Sequence, residues 1–126
     1  MSTDLDPNGL PPNYNFQPDW EVTPREVKQL LDAHADFELI DCRLPRERDI
    51  TKIEPSELIP VQELAAHFES KLDGKQDRKI IVYCRSGGRS MQFAQALRRN
   101  GFNDVKSMAG GILLWNKDIN PGGPQY

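Results

Sequence analysis

Residues 79–84 read "KIIVYC", four apolar or aromatic side chains in a row between a lysine and a cysteine. A strand with one wet face alternates apolar with polar residues. This run does not alternate, and β-branched and aromatic residues dominate it, so it reads as a strand buried on both faces. Burial on both faces demands a covering layer on each side of the sheet. That arrangement belongs to mostly parallel sheets, whose strands are joined by crossover helices.

The flanking sequence supplies such helices. Residues 20–23, "WEVT", read as a short strand. Thr23 then offers an N-cap, Pro24 suits the first helical position, and Glu26 completes a capping box. Val27, Leu30 and Leu31 give that helix one apolar face. A strand is expected over residues 37–42, "FELIDC", and a helix over 60–72 with Val61, Leu64, Ala65, Phe68 and Leu72 inward. After the cysteine, residues 88–101 predict a helix with Met91, Ala94 and Leu97 inward and Gly101 as its stop. "DVKSM" is a last strand, and "GGILLWNKDI" a last helix whose Ile112, Trp115 and Ile119 face the core. The expected fold class is α/β: a single domain with a mostly parallel central β-sheet and helices on both faces. Ligands in such folds bind beyond the carboxyl ends of the strands, where Cys84 lies.

The 126 residues suffice for one core. Residues 1–18, rich in Pro, Asn and Asp, are read as a flexible arm, disordered or wrapped on the surface. Residues 19–120 form the domain, and 121–126 a loose tail. Sixteen basic against nineteen acidic residues give a net charge of −3, with no footprint for nucleic acid or an anionic membrane. No apolar run approaches the roughly 20 residues of a membrane span. The N-terminus has no basic start and no apolar stretch of a secretion signal. Two cysteines, Cys42 and Cys84, are too few for a disulfide framework, so a reducing cytoplasm is expected. His34 and His67 have no partners at metal spacing, and no metal or other cofactor is expected. Arg98 and Arg99 read as a solvated helix end.

The chemistry concentrates in "CRSGGRS", Cys84 to Ser90. A loop between a buried strand and a helix gathers successive N–H groups into an anion nest, and the helix N-terminus points its positive end there. Gly87 and Gly88 let the backbone curl, while Arg85 and Arg89 add charge. All of these favour thiolate over thiol. A cysteine inert in the core is the plainer alternative, but a core has no use for two arginines and two glycines. Phosphatases and arsenate reductases also hold a cysteine in such a cradle. Their loop has five residues between Cys and Arg; four intervene here, a tighter cradle suited to one sulfur atom.

The segment "VYCRSGGRS" resembles the active-site loop of rhodaneses, which are sulfurtransferases. "LIDCRLPRERDI" and "GFNDVKSMAGGILLW" resemble two further stretches of that family, so the likeness runs from about Trp20 to Ile119. The closing "NPGGPQY" is similar to the tail of rhodanese domains attached to sulfur-carrier-activating enzymes. Lys52 stands where relatives commonly carry His, and Pro55-Ser56 replace Gly-Ala, so the loop of residues 51–56 is expected to differ in shape. The resemblance implies that Cys84 takes sulfur from a small donor such as thiosulfate and carries it as a persulfide. Arg85, Ser86, Gly87, Gly88, Arg89 and Ser90 would hold that sulfur, and a thiol or cyanide would accept it. Arg85 is expected at the mouth, Arg89 as a brace on the loop, and Ser90 as a helix cap. Asp41 is expected to bond the loop backbone, and Arg43 to pair with Glu47, with an ordinary rim ion pair as the plainer alternative. The alternative function is a relay that passes persulfide sulfur from a protein donor to a protein carrier. Cys42 is read as core packing, with a resolving thiol as its alternative.

Overall fold

The apolar run forms the middle strand of a five-stranded sheet in the computed structural model, which describes residues 5–126. In chain order the elements are β1 Glu21–Val22, α1 Pro24–Asp32, β2 Glu38–Asp41, α2 Pro45–Ile50, β3 Glu57–Leu58, α3 Leu64–His67, β4 Lys79–Tyr83, α4 Gly88–Arg99, β5 Asp104–Met108 and α5 Gly111–Asp118. The strands lie in the order β1-β5-β4-β2-β3, and every pairing is parallel. β4 therefore has a neighbour on each side and helices on each face, as its unbroken apolar sequence requires.

Alternation along the strands divides the core into two layers. Ile40, Ile80, Val82 and Val105 face α3 and α4, where Leu64, Phe93, Ala94 and Leu97 meet them. Leu39, Ile81, Tyr83 and Met108 face α1 and α5, meeting Val27, Ile112 and Trp115. Each fully buried side chain of this size stabilises by about 1.5–3 kcal/mol. α1 starts as its sequence predicts: the Thr23 hydroxyl accepts from Glu26 N–H at 3.1 Å, and the Glu26 carboxylate accepts from Thr23 N–H at 3.0 Å.

Several elements depart from the pattern. The helix expected over 60–72 is a 3-10 turn at Val61–Glu63, one α-helical turn, and a wide turn at Phe68–Leu72. Leu64 and Leu72 are both buried, eight residues apart. The wide turn at Phe68–Leu72 keeps Leu72 in the same buried cluster as Leu64. Ala65 is exposed instead. On α4, Phe93 is buried and Met91 only half-buried. α2 and β3 have no counterpart in the sequence reading. α2 is six residues, mostly charged, and β3 is two.

From residue 5 onward the arm packs against the domain; its first four residues lie outside the described residues. Leu10 is buried against Ala109 and Leu114, with Leu5, Tyr14 and Phe16 packed around it. The Tyr14 hydroxyl donates to the buried Glu21 carboxylate at 2.6 Å. Arg98 is not a solvated helix end: its guanidinium lies 3.8 Å from the Trp20 ring centroid and donates to the carbonyls of Val105 and Asp19. In the loop of residues 51–56, Ile53 is buried and its N–H donates to the Tyr83 hydroxyl at 3.1 Å. No helix among the described residues is long and apolar enough to cross a membrane.

Candidate active site

β4 ends at Tyr83, so Cys84 emerges at the carboxyl edge of the central strand. The chain then reverses into α4 through Gly87, whose φ of 115° lies where side chains are rarely tolerated. That turn aims Gly87 N–H at the Cys84 sulfur, 3.1 Å away. The first turn of α4 adds Ser90 N–H at 3.4 Å and the Ser90 hydroxyl at 3.4 Å. Ser90 is thus not a helix cap. It lies inside the first turn of α4, fully buried, with its hydroxyl 2.7 Å from that of Ser107 on β5 and 3.2 Å from the Gly87 carbonyl. Gly88 opens the helix, and Ser86 and Arg85 are exposed at the loop surface. Cys84 itself keeps 1% of its surface exposed.

A second helix holds the loop from behind. Ile112 and Leu113, in the first turn of α5, donate to the carbonyls of Cys84 and Arg85 at 2.9 and 3.1 Å. Gly111 permits this approach, because a Cβ there would fall 2.3 Å from the Arg85 carbonyl oxygen, and its φ is +62°.

The charged residues meet in pairings that the sequence did not indicate. Arg89 does brace the loop, and its partner is Glu47: two N–H groups reach the two carboxylate oxygens at 2.6 and 2.9 Å. Arg43, expected to pair with Glu47, instead binds Asp41 through two bonds of 2.8 Å, both side chains fully buried. It touches Glu47 only at the main-chain carbonyl, at 3.3 Å. Asp41, expected to bond the active-site loop, is taken up by Arg43 and by Arg48 at 3.1 Å. The reason is the parallel register. Asp41 lies beside Tyr83 on the α1/α5 face, whereas Cys84 points to the opposite face.

Tyr126 ties these pairs together. Its hydroxyl donates to Glu47 at 2.7 Å and accepts from Arg43 at 2.9 Å. Its carbonyl accepts from the Arg85 guanidinium, which also lies 5.3 Å from the ring centroid. Arg85 stays at the mouth, but the tail holds it. Tyr126, Arg48, Ser107 and the close approach at Gly111 were not singled out from sequence. Ser107 left a signal: it shares a strand face with buried Val105, an inward polar residue that needs a partner. Tyr126 left none, since it follows a Pro/Gly stretch without periodicity.

Cys42 is brought to the same place. β2 and β4 run in parallel with Asp41 beside Tyr83, and Cys42 N–H continues the ladder to the Tyr83 carbonyl at 3.0 Å. Cys42 and Cys84 are the next pair along, on one face and in one buried cluster. Both are free thiols.

These contacts decide which group carries charge. The Cys84 thiol is pulled well below the ordinary thiol range, first by the neighbouring Cys42 thiol. The Ser90 hydroxyl and the N–H groups of Ser90 and Gly87 act in the same direction, against the cost of burial. The Cys42 thiol is pushed up by the same pairing and by its own burial. Arg89, with help from Leu44 N–H and Tyr126, brings Glu47 from 4.5 down to about 2, although burial opposes it. The two directions favour negative charge on Cys84 over Cys42, beside a closed carboxylate–guanidinium pair. Among the described residues, no cluster of three or more His, Cys, Asp or Glu side chains could hold a metal ion.

Comparison with known proteins agrees with this arrangement. Residues 23–118 match the model of the rhodanese-like domain. The chain is 38% identical over 100 residues to the probable adenylyltransferase/sulfurtransferase MoeZ of Mycobacterium tuberculosis, a match covering 79% of this chain and 25% of that protein. It is 32% identical over 120 residues to the adenylyltransferase and sulfurtransferase MOCS3-1 of Zea mays, covering 91% of this chain and 26% of that one. The chain therefore spans about a quarter of the length of these curated relatives. Among solved structures, the human single-domain sulfurtransferase TSTD1 superposes with a TM-score of 0.71 over 78% of this chain and 96% of its own, at 23% identity, a likeness of fold. With a family match that runs from α1 to α5 and includes the cysteine loop at the carboxyl edge of the sheet, the chain belongs to the rhodanese-like domain family.

Proposed function

We propose that this chain is a sulfurtransferase in which Cys84 carries a sulfane sulfur as a persulfide. The observation that carries the reading is the convergence of Gly87 N–H, Ser90 N–H and the Ser90 hydroxyl on one buried sulfur at the end of β4. The Cys84 thiolate attacks the outer sulfur of a donor such as thiosulfate. A new S–S bond forms, the donor's S–S bond breaks, and sulfite leaves with the electron pair. The persulfide anion, with its terminal sulfur now bearing the charge, lies against the donors of the Gly87–Ser90 turn. A thiolate or cyanide then attacks that terminal sulfur and returns Cys84 to thiolate. Backbone dipoles already aimed at the sulfur need little reorganisation as charge moves onto it.

The near-complete burial of Cys84 favours donors that present a single sulfur at the end of a slender group. A tetrahedral phosphate would need more donors and more room than the four-residue loop offers. A second reading is supported by the relatives that are named as adenylyltransferases and sulfurtransferases and of which this chain matches about a quarter. In that reading the donor, the acceptor or both are proteins within a sulfur relay, and the nucleophile is the same.

The test is intact-protein mass spectrometry after incubation with thiosulfate in the absence of reductant. Wild type is expected to gain one sulfur atom that cyanide removes, and Cys84→Ser none. A gain retained in Cys84→Ser overturns the mechanism. A gain only from a protein persulfide donor selects the relay.

A further inference from the structure

The three contacts on the Cys84 sulfur, two N–H donors and the Ser90 hydroxyl, all come from one side, the Gly87 turn and the first turn of α4. On the other side lies Cys42, which follows the Asp41–Tyr83 pair on the adjacent parallel strand and shares one buried cluster with Cys84; neighbouring parallel strands are about 4.8 Å apart. The preceding pair on this face, Ile40 beside Val82, is purely apolar. A thiolate flanked there by hydrocarbon would lose solvation with nothing in return. Cys42, the residue directly after β2, can offer that flank a proton. It is buried completely, with its main chain locked to Tyr83 and to Val61, so its side chain is held in place.

We propose that Cys42 is a positioning residue, a buried neutral thiol whose S–H donates to the Cys84 sulfur and holds it as the thiolate. The role rests on Cys84 being the reacting sulfur, as proposed above. The electrostatics agree in direction: Cys84 is drawn down and Cys42 pushed up, so the proton stays on Cys42. This opposes a resolving role, because a resolving thiol must itself ionise to attack. The other groups that act on this pair are largely committed elsewhere. Arg89 reaches both sulfurs electrostatically but is bound to Glu47. Asp41 is held by Arg43 and Arg48, and the Tyr14 hydroxyl on the arm side by Glu21. Ser107 acts only through Ser90.

The test is the pH dependence of iodoacetamide alkylation at Cys84, read by peptide mass spectrometry in wild type, Cys42→Val, Cys42→Ala and Cys42→Ser. Thermal melting of each variant verifies that it is folded. Removing the donor in the Val or Ala variant should raise the apparent Cys84 pKa by about one unit or more, a ~tenfold loss of thiolate at a fixed lower pH. The Ser variant, which restores a donor, should return the profile most of the way to wild type. An unchanged profile in the folded Val and Ala variants overturns the proposal. So does a Ser variant displaced as far as Val, which would make the effect one of packing. Alkylation reads the ionisation of Cys84 without sulfur transfer, so its outcome is separate from that of the thiosulfate experiment.

Discussion

Ser90 shows how much one small side chain contributes when it is buried. It has no exposed surface, and its hydroxyl lies within reach of the Cys84 sulfur, the Gly87 carbonyl and the Ser107 hydroxyl. Ser90→Ala keeps the N–H donor and deletes the hydroxyl contact. The Cys84 thiol, now lowered by that hydroxyl among others, should then titrate higher. The alkylation rate at a fixed pH below the midpoint should fall severalfold, with little change on the alkaline plateau; an unaltered profile would remove the hydroxyl from the mechanism. The variant should also lose about 1–3 kcal/mol of stability, because Ser107 is left buried with a hydroxyl lacking its partner. A urea midpoint measures that loss. The "CRSGGRS" sequence made the cysteine, the glycine turn and the arginine brace legible, because a strand–loop–helix junction is local in the chain. It did not reveal Ser107, which joins only because β5 lies beside β4.

At the scale of elements, the active-site loop is held between two helix N-termini. α4 supplies the donors on the sulfur, while α5 supplies donors to the carbonyls of Cys84 and Arg85. The tolerance at this contact is small. Gly111→Ala places a Cβ 2.3 Å from a backbone oxygen at a positive φ, and backbone cannot move aside as a flexible side chain would. The expected cost is about 1–3 kcal/mol or more, with a larger relative loss of sulfur transfer than of stability. A urea midpoint and a thiosulfate–cyanide assay on one preparation would check both; wild-type activity at reduced stability would detach α5 from the chemistry. α2 carries the opposite lesson. Its six residues include no apolar stripe, so periodicity is silent, yet it delivers Glu47 to Arg89 and to Tyr126.

For the whole molecule, the two ends of the described chain are part of the structure. Leu10 is buried against α5 and Ala109, so Leu10→Ala should lower stability by about 2 kcal/mol or more. A melting temperature equal to wild type would show that the arm's packing adds nothing to stability. At the other end Tyr126 closes the Arg43–Glu47–Arg89 group, and this group gives the fold an acid limit. Glu47 titrates near 2 in the folded chain against 4.5 ordinarily. Its contribution is fully present above about 4.5 and is lost as pH falls from there toward 2. Wild type should lose urea resistance over that window, and Glu47→Gln should lose less of it, starting from a lower midpoint near neutrality. Equal slopes would place the acid sensitivity elsewhere. By itself the sequence determined the features that neighbours along the chain enforce. These are an unbroken apolar strand that must be covered on both faces, the Thr23–Glu26 cap, and a cysteine at the mouth of a glycine turn. Who meets whom across the sheet follows from the packed fold: Asp41 with Arg43 rather than with the loop, Glu47 with Arg89, and Cys42 beside Cys84. Strand order and register arise from closing the whole core at once, and a side-chain period carries no record of which strand lies next door.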